Sequence, residues 1–169
     1  LNRATIGHPA PVGDMHGKVR GIAGYLYKSG LDAYAGFNQM KASENATRLM
    51  QVLTARGVRQ FTVLPFGVTN GPAYFTEAML SIFDGRLKQL PSMLGEGLAS
   101  HDSRLEIFFD DLNLGTGRLI DGTLNSANPE AFAEHIRALD AVCERARLSN
   151  LRFKFSKCVF AQYELATLG

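Results

Sequence analysis

Apolar and polar positions along the chain alternate with two different periods, which predict both strands and helices. Alternation with a period of two is typical of strands with one buried face, and runs of turn-forming residues separate such strands. The strands predicted in this way cover residues 25–31, 48–54, 58–64, 107–109, 112–114 and 151–155. The second and third should form one hairpin, and the fourth and fifth another.

Two stretches have apolar residues at helical spacing. Asn70 and Pro72 mark the start of a helix that ends near Gly85, since proline is tolerated in a first turn. Pro129 opens a second helix with Asn128 as its cap. The face predicted to be buried in this second helix consists of Phe132, Ile136, Leu139, Cys143 and Ala146. A turn and a short helix are expected over residues 33–40, and extended or irregular chain over residues 1–19, 43–46 and 115–128. Residues 88–103 are expected to form a long loop or a short helix.

Interleaved strands and helices, with hairpins as well as crossovers, predict an α+β fold in which helices back an antiparallel sheet. The 169 residues, 46% of them hydrophobic and 20% charged, are enough for one compact domain.

A net charge of +2 excludes a strongly basic nucleic-acid-binding protein, although a local basic groove remains compatible with it. Cys143 and Cys158 lack metal-site spacing and are expected to be reduced thiols in an intracellular protein. No apolar run approaches the roughly 18 residues of a membrane span, so no membrane partner is expected.

Three carboxylates are the candidate chemistry. Asp110 and Asp111 lie at the tip of a predicted apolar hairpin, and Asp32 ends a predicted strand. Ionised groups at the edge of a core are costly unless they are paired or bound to metal, and a pair of divalent cations with bridging carboxylates is the requirement of two-metal phosphoryl transfer. A solvated Asp-Asp turn, with Asp32 as a helix N-cap, is the alternative that these residues alone leave open.

Four ordered motifs resemble the reverse transcriptases of gypsy-type LTR retrotransposons: LDAYAGFNQM, LPFGVTNGPAYF, FFDDL and FSKCVF…LATLG. LNRATI and HPAP near the start are similar to the fingers segment of that family. The resemblance implies a polymerase palm with part of the fingers: residues 1–30 and 44–64 as fingers, residues 31–43 and 65–169 as palm. Thumb and RNase H regions would lie beyond Gly169, as both chain ends are expected to be cuts through a larger protein.

Specific roles follow from this resemblance alone. It implies that Asp32, Asp110 and Asp111 form the catalytic triad and bind two Mg²⁺ ions, or Mn²⁺, with the carbonyl of Ala33. The implied nucleotide-binding residues are Phe37, Phe66, Gly67 and Lys157. The implied primer and template contacts are Phe108, Phe109, Leu168 and Gly169. Core packing is the alternative for Phe37, and a solvated strand lysine is the alternative for Lys157. Phe108 departs from the family pattern, which has tyrosine there.

The implied partners are an RNA or DNA template–primer, dNTPs, and the thumb, RNase H, protease and integrase regions of a parent polyprotein. The implied location is the cytoplasm, in virus-like particles, or the nucleus. Template–primer affinity depends on many phosphate contacts, so the 169 residues alone are expected to be poorly active. Three alternatives stay open: a non-catalytic nucleic-acid-binding remnant, a pararetroviral polymerase and a metal-dependent phosphodiesterase.

Overall fold

Seven strands and four α-helices make up the described part of a computed structural model that covers residues 2–9, 14–85, 92–93, 95–96, 103–118 and 130–165. The helices are α1 (Met15–Ala23), α2 (Glu44–Leu49), α3 (Gly71–Phe83) and α4 (Ala131–Leu148). The strands are β1 (Tyr25–Asp32), β2 (Gln51–Thr54), β3 (Gly57–Gln60), β4 (Gly95–Glu96), β5 (Ser103–Phe108), β6 (Asp111–Arg118) and β7 (Val159–Gln162). Short 3-10 turns cover Asn2–Ala4, Gly36–Gln39 and Phe155–Lys157.

Five strands form one antiparallel sheet in the order β4-β5-β6-β1-β7. Buried and half-buried residues alternate along β5 and the first half of β6, because side chains of a strand point to opposite faces at successive positions. The buried leucines and isoleucine of the core face meet residues of α3 and α4, and the members of the core include Leu31, Phe75, Met79, Phe83, Leu105, Ile107, Leu112, Leu114, Ala138 and Val142. The predicted α+β class, with helices packed on an antiparallel sheet, is confirmed.

The two predicted hairpins and the helix after Asn70 are confirmed. β5 and β6 pair in the order expected, and β2 pairs with β3 around a short turn. α3 has Pro72 in its first turn and ends at Phe83. The predicted short helix after residue 33 is the 3-10 turn Gly36–Gln39.

The buried face of α4 differs from the predicted face by one position. Phe132, Ile136 and Cys143 are exposed, and Leu139 is half-buried, whereas the buried residues are Ala131, His135, Ala138, Val142, Arg145 and Ala146. Ala146 is buried as predicted, and the rest of the face was wrong because the prediction counted only apolar residues, while two polar side chains are buried with partners here. His135 bonds to hydroxyls of the sheet, and Arg145 donates to the carbonyl of Ile82 at 3.0 Å.

Residues 15–23 form α1, although extended chain was predicted as far as residue 19. Gly17 and Gly21 weaken the helical pattern in the sequence. A Cβ at Gly21 would lie 2.6 Å from Arg104 Nε, so glycine permits the close approach of α1 to β5. Lys18 donates to the carbonyl of Ile107 at 2.7 Å. Tertiary contacts therefore make the helix despite its low intrinsic propensity.

Several other boundaries were wrong. Residues 44–49 form α2, capped by Ser43 Oγ, which accepts from the Ala46 N–H at 3.2 Å, and not a loop followed by a strand. β3 ends at Gln60, and β6 continues to Arg118 where a polar loop was predicted. The segment after α4 makes one bridge between Phe153 and Ala33, and the last strand is β7.

Some expectations lie outside the described residues, including Asn128, Pro129 and most of residues 88–102. Cys143 and Cys158 are free thiols. Within the part of the chain that the structure describes, no helix is both long and apolar enough to cross a membrane.

Candidate active site

Strand register brings the three carboxylates to one edge of the sheet. Asp32, the last residue of β1, is the antiparallel partner of Asp111, the first residue of β6. The Ala33 N–H donates to the Asp110 carbonyl at 3.1 Å, which ties the end of β1 to the β5–β6 turn. Opposed residues in antiparallel pairs have Cα atoms about 4.5–5.5 Å apart. The prediction that Asp32 lies close to Asp110 and Asp111 is therefore confirmed. Their catalytic roles stay predictions.

The β5–β6 turn presents Asp110 to solvent and partly buries Asp111. Phe108 pairs with Asp111 across the turn, so Phe109 and Asp110 are its two central residues. Phe109 has a φ of 51°, in the left-handed region that few non-glycine residues adopt. Its ring packs edge-on against Phe108 with centroids 4.8 Å apart. The tip of the β5–β6 hairpin, which carries the two acids, therefore combines a strained backbone at Phe109 with packing between two aromatic rings.

Negative charge concentrates around Asp111. Burial raises the pKa of the Asp111 carboxyl, and the nearby charges of Asp110 and Asp32 raise it further, while Lys157 lowers it. Lys157 Nζ lies 3.3 Å from Asp32 Oδ2 in a pair whose side chains are 58% and 20% exposed. The lysine therefore offsets part of the repulsion among the three acids.

Aromatic side chains form the wall next to the acids. Phe37, on the 3-10 turn after β1, packs edge-on against Phe66 and Phe75, with centroids 5.2 Å and 5.5 Å apart. A Cβ on Gly36 would lie 2.6 Å from the Phe75 ring, so only glycine lets this turn approach α3 so closely. Phe66 is 67% exposed, while Phe75 is buried. Phe37 thus belongs to the core contacts and faces the site as well.

A cavity of about 310 Å³ joins the acids to the aromatic wall. Its volume is at the lower end of the range of about 300–1,000 Å³ that is typical of small-molecule sites. The lining residues are Asp32, Ala33, Tyr34, Ala35, Gly36, Phe37, Phe66, Phe75, Phe109, Asp110, Lys154 and Lys157. Seven residues predicted from the sequence to act in catalysis or binding therefore meet in one place: Asp32, Ala33, Phe37, Phe66, Phe109, Asp110 and Lys157.

Three of the other predicted site residues are described but do not line this cavity. Among the described residues, Gly67, Phe108 and Asp111 do not line the cavity. Gly67 has a φ of 85° and its carbonyl accepts from Asn2 Nδ2 at 2.7 Å. Leu168 and Gly169 lie outside the described residues, and their predicted contact with the primer stays a prediction.

Sequence reasoning missed Tyr34 and Lys154 as lining residues. Lys154 N–H donates to the Asp32 carbonyl at 2.8 Å, and Tyr34 N–H donates to the Arg152 carbonyl at 2.9 Å. Gln39 strengthens the same junction: its amide donates to the carbonyls of Tyr34 and Arg152 and accepts from the Arg152 N–H at 2.8 Å. No signal in the sequence links residues 32–39 to 152–154, since the two segments meet only after the sheet has formed.

The donor set suits a hard divalent cation, because carboxylate and carbonyl oxygens are the ligands that Mg²⁺ prefers. Asp32 and Asp110 both line the cavity. Over the described ranges, however, no group of three or more acidic, histidine or cysteine side chains is assembled as a metal centre. Asp32 contacts Lys157 instead, at 3.3 Å. The residue types fit the ion, and binding it would require Asp32 to exchange or share this lysine contact.

The chain belongs to the reverse transcriptase (RNA-dependent DNA polymerase) family, whose sequence pattern matches residues 4–169. It is 23% identical over all 169 residues to the retrovirus-related Pol polyprotein from transposon 297 of Drosophila melanogaster. Over 144 residues, or 85% of the chain, it is 24% identical to the corresponding polyprotein from transposon opus of the same species. These relatives confirm the resemblance to gypsy-type elements. The chain spans only 13% and 14% of their lengths.

Solved structures support the same fold. The foamy viral protease–reverse transcriptase in complex with double-stranded DNA aligns with a TM-score of 0.73 at 20% identity, over 99% of this chain and 25% of that one. The foamy viral protein in complex with an RNA/DNA hybrid aligns with a TM-score of 0.71 at 19% identity, over 99% and 19% of the two chains. At this identity the similarity concerns the fold.

Proposed function

We propose that this chain is the catalytic core of an RNA-directed DNA polymerase that transfers a nucleotide from a dNTP to a primer 3′-hydroxyl. The observation that carries the proposal is the register of Asp32 with Asp111, which sets three carboxylates beside a cavity with an aromatic wall. A polymerase needs acids that hold divalent cations next to a site for a sugar and a base. Membership of the reverse transcriptase family supports the same activity.

In this proposal Asp32 and Asp110 would hold two Mg²⁺ ions, or Mn²⁺, with help from the Ala33 carbonyl, and Asp111 would complete the triad. When bound, such a pair of ions activates the attacking oxygen and stabilises the leaving oxygen. Asp32, at the end of β1, and Asp110, in the β5–β6 turn, position the primer 3′-hydroxyl and the dNTP. Asp111, which is half-buried, pairs with Asp32 across the two strands and places a third carboxyl group beside them.

The aromatic wall provides the nucleotide site. Phe37 packs beneath the incoming sugar, where its ring is fixed between Phe66 and Phe75. Phe66 and Gly67 contact the nucleotide and the template base. Lys157, which lies at the cavity beside Asp32, protonates the departing pyrophosphate. Its place in the cavity lining supports this role, and its side chain is 58% exposed.

Primer and template are proposed to run past the β5–β6 turn, with contacts from Phe108, Phe109, Leu168 and Gly169. The foamy viral relatives were solved with double-stranded DNA and with an RNA/DNA hybrid, which supports such a duplex as the partner. In the same proposal, part of the fingers is formed by residues 1–30 and 44–64. The palm is formed by residues 31–43 and 65–169.

The similarity to Pol polyproteins supports a parent polyprotein. Thumb, RNase H, protease and integrase regions are its proposed other parts. A virus-like particle in the cytoplasm, or the nucleus, is the proposed location. Because the chain covers a small share of its relatives, the activity should be measured on the full reading frame that encodes it.

Primer extension tests the proposal. The expected result is Mg²⁺-dependent dNTP incorporation that Asp110→Asn abolishes. Asp140→Asn is the matched control, because Asp140 is an exposed acid on α4, away from the cavity. Binding of RNA without incorporation, at any Mg²⁺ or Mn²⁺ concentration, would favour a non-catalytic remnant. Cleavage of the template without primer extension would favour a phosphodiesterase.

A further inference from the structure

Two asparagines join segments that are far apart in the sequence by reciprocal hydrogen bonds. Asn2 Nδ2 donates to the Gly67 carbonyl at 2.7 Å, and Asn2 Oδ1 accepts from the Thr69 N–H at 3.2 Å. Asn70 makes the corresponding two bonds in the opposite direction. Its Nδ2 donates to the Ile6 carbonyl at 2.8 Å. Its Oδ1 accepts from the His8 N–H at 2.9 Å. We call these four bonds, between residues 2–8 and residues 67–70, the asparagine clasp.

The His8 side chain strengthens the clasp on α3. Its Nε2 lies 2.8 Å from Glu77 Oε1, and its ring stacks on Tyr74 with centroids 6.1 Å apart. Asn70 is only 7% exposed, so its two bonds are shielded from water. Buried side-chain amides without partners are costly, and here both ends of the amide are satisfied. Residues 2–8 are therefore fixed at the N-terminus of α3.

An aromatic residue of the cavity lining, Phe66, lies next to the clasp in the chain. It directly precedes Gly67, which has a φ of 85°, in the left-handed region. Phe66 is 67% exposed and packs edge-on against Phe37. Because so little of this side chain is buried, burial alone cannot hold it. The backbone at Gly67 and Thr69 must hold it, and both positions are bonded to Asn2.

We propose that Asn2 and Asn70 are positioning residues that keep Phe66 against Phe37 and thereby set the width of the nucleotide cavity. Neither asparagine is among the described residues that line the cavity, so both act through the loop of residues 66–70. The expected effect on dNTP binding rests on the proposed polymerase activity. The expected effect on the loop of residues 66–70 rests on the clasp alone, so the two effects can be tested separately.

A fluorescent probe reports on the loop without any enzymatic assay. The chain contains no tryptophan, so Phe66→Trp introduces a single indole at the end of the clasp. In this background, Asn2→Ala should increase collisional quenching of the indole by acrylamide, because the loop loses both bonds to Asn2. Asn45→Ala, at an exposed position of α2, is the control and should leave quenching unchanged.

A second variant separates the two bonds and covers the case in which Asn2→Ala does not fold. Asn2→Asp keeps an oxygen that accepts from the Thr69 N–H but removes the donor to the Gly67 carbonyl. We expect quenching between that of the parent protein and that of Asn2→Ala. Circular dichroism checks that each variant is folded. Equal quenching in the parent, both Asn2 variants and Asn45→Ala would overturn the proposal.

Kinetics on the full reading frame, with Phe66 intact, then measure the effect on nucleotides. Asn2→Ala should raise KM for dNTP by at least about fivefold, the effect of one of the two lost hydrogen bonds, and change kcat less. A fall in kcat at unchanged KM would contradict a role in nucleotide positioning. If no protein incorporates dNTP, including the parent, the polymerase assignment fails, whereas the quenching result still decides the role of the clasp.

Discussion

His135 provides the sharpest link between the fold and a measurable pH dependence. The side chain is fully buried between Ser29 of β1 and Thr116 of β6. The Ser29 hydroxyl lies 2.6 Å from Nε2 and the Thr116 hydroxyl 2.8 Å from Nδ1. Burial lowers the pKa of His135 from 6.5 to about 4. The histidine is therefore neutral in the folded protein at neutral pH, and it joins α4 to the two strands that carry the acids.

The lowered pKa predicts a loss of stability in acid. In the unfolded chain His135 takes up a proton near pH 6.5, whereas in the folded chain it does so only near pH 4. The unfolded state therefore binds more protons between these values, and stability falls as pH decreases through this window. At about 1.4 kcal/mol per pKa unit, the full loss is about 3 kcal/mol, of which about 2 kcal/mol is lost between pH 7 and pH 5.

Urea unfolding followed by circular dichroism at pH 7 and pH 5 measures this effect. His135→Gln is the comparison protein, because the glutamine amide can donate to one hydroxyl and accept from the other but does not titrate in this range. The other titrating groups are common to both proteins, so the difference between their pH dependences isolates His135. The original protein should lose about 2 kcal/mol more than the variant between the two pH values. An equal loss in both proteins would refute the reasoning.

Two further predictions concern the cavity. Gly36→Ala should lower the free energy of unfolding by about 1–3 kcal/mol, because its Cβ would overlap Phe75, whereas Gly24→Ala, with no atom within 4 Å of its Cβ, should change it by less than about 0.5 kcal/mol. Equal effects in urea unfolding would contradict the close packing of this turn. Lys157→Ala should change the unfolding free energy by less than about 1 kcal/mol because the pair is partly exposed, and it should raise the pKa of Asp111, which an NMR titration would follow. A lower Asp111 pKa would show that Lys157 does not act on the acids as described.

The sequence predicted the acidic site better than it predicted the helix faces. Asp32 and Asp111 end and begin apolar strands, so the alternation of side chains and the hairpin turn were enough to suggest their places. Their meeting depends on β1 pairing with β6, a long-range contact that no local pattern encodes. The motif resemblance supplied that pairing in advance.

The errors have identifiable physical causes. The buried face of α4 was misplaced because His135 and Arg145 are buried polar residues, whose partners belong to other elements. The helix α1 was missed because Gly17 and Gly21 weaken the helical pattern, whereas its contacts with other elements, such as the bond from Lys18 to the Ile107 carbonyl, cannot be read from the local sequence. The asparagine clasp was also missed, since its partners, such as Asn2 and Gly67, are separated by most of the first half of the chain.

Binding of a paramagnetic ion tests the central claim most directly. Electron paramagnetic resonance can titrate Mn²⁺ against the full reading frame with template–primer and a dNTP bound, for the original protein and for Asp32→Asn, Asp110→Asn and Asp140→Asn. We expect the first two variants to lose Mn²⁺ binding, because each removes a carboxylate of the cavity, and the third to bind like the original protein. Undiminished Mn²⁺ binding by both Asp32→Asn and Asp110→Asn would contradict the account.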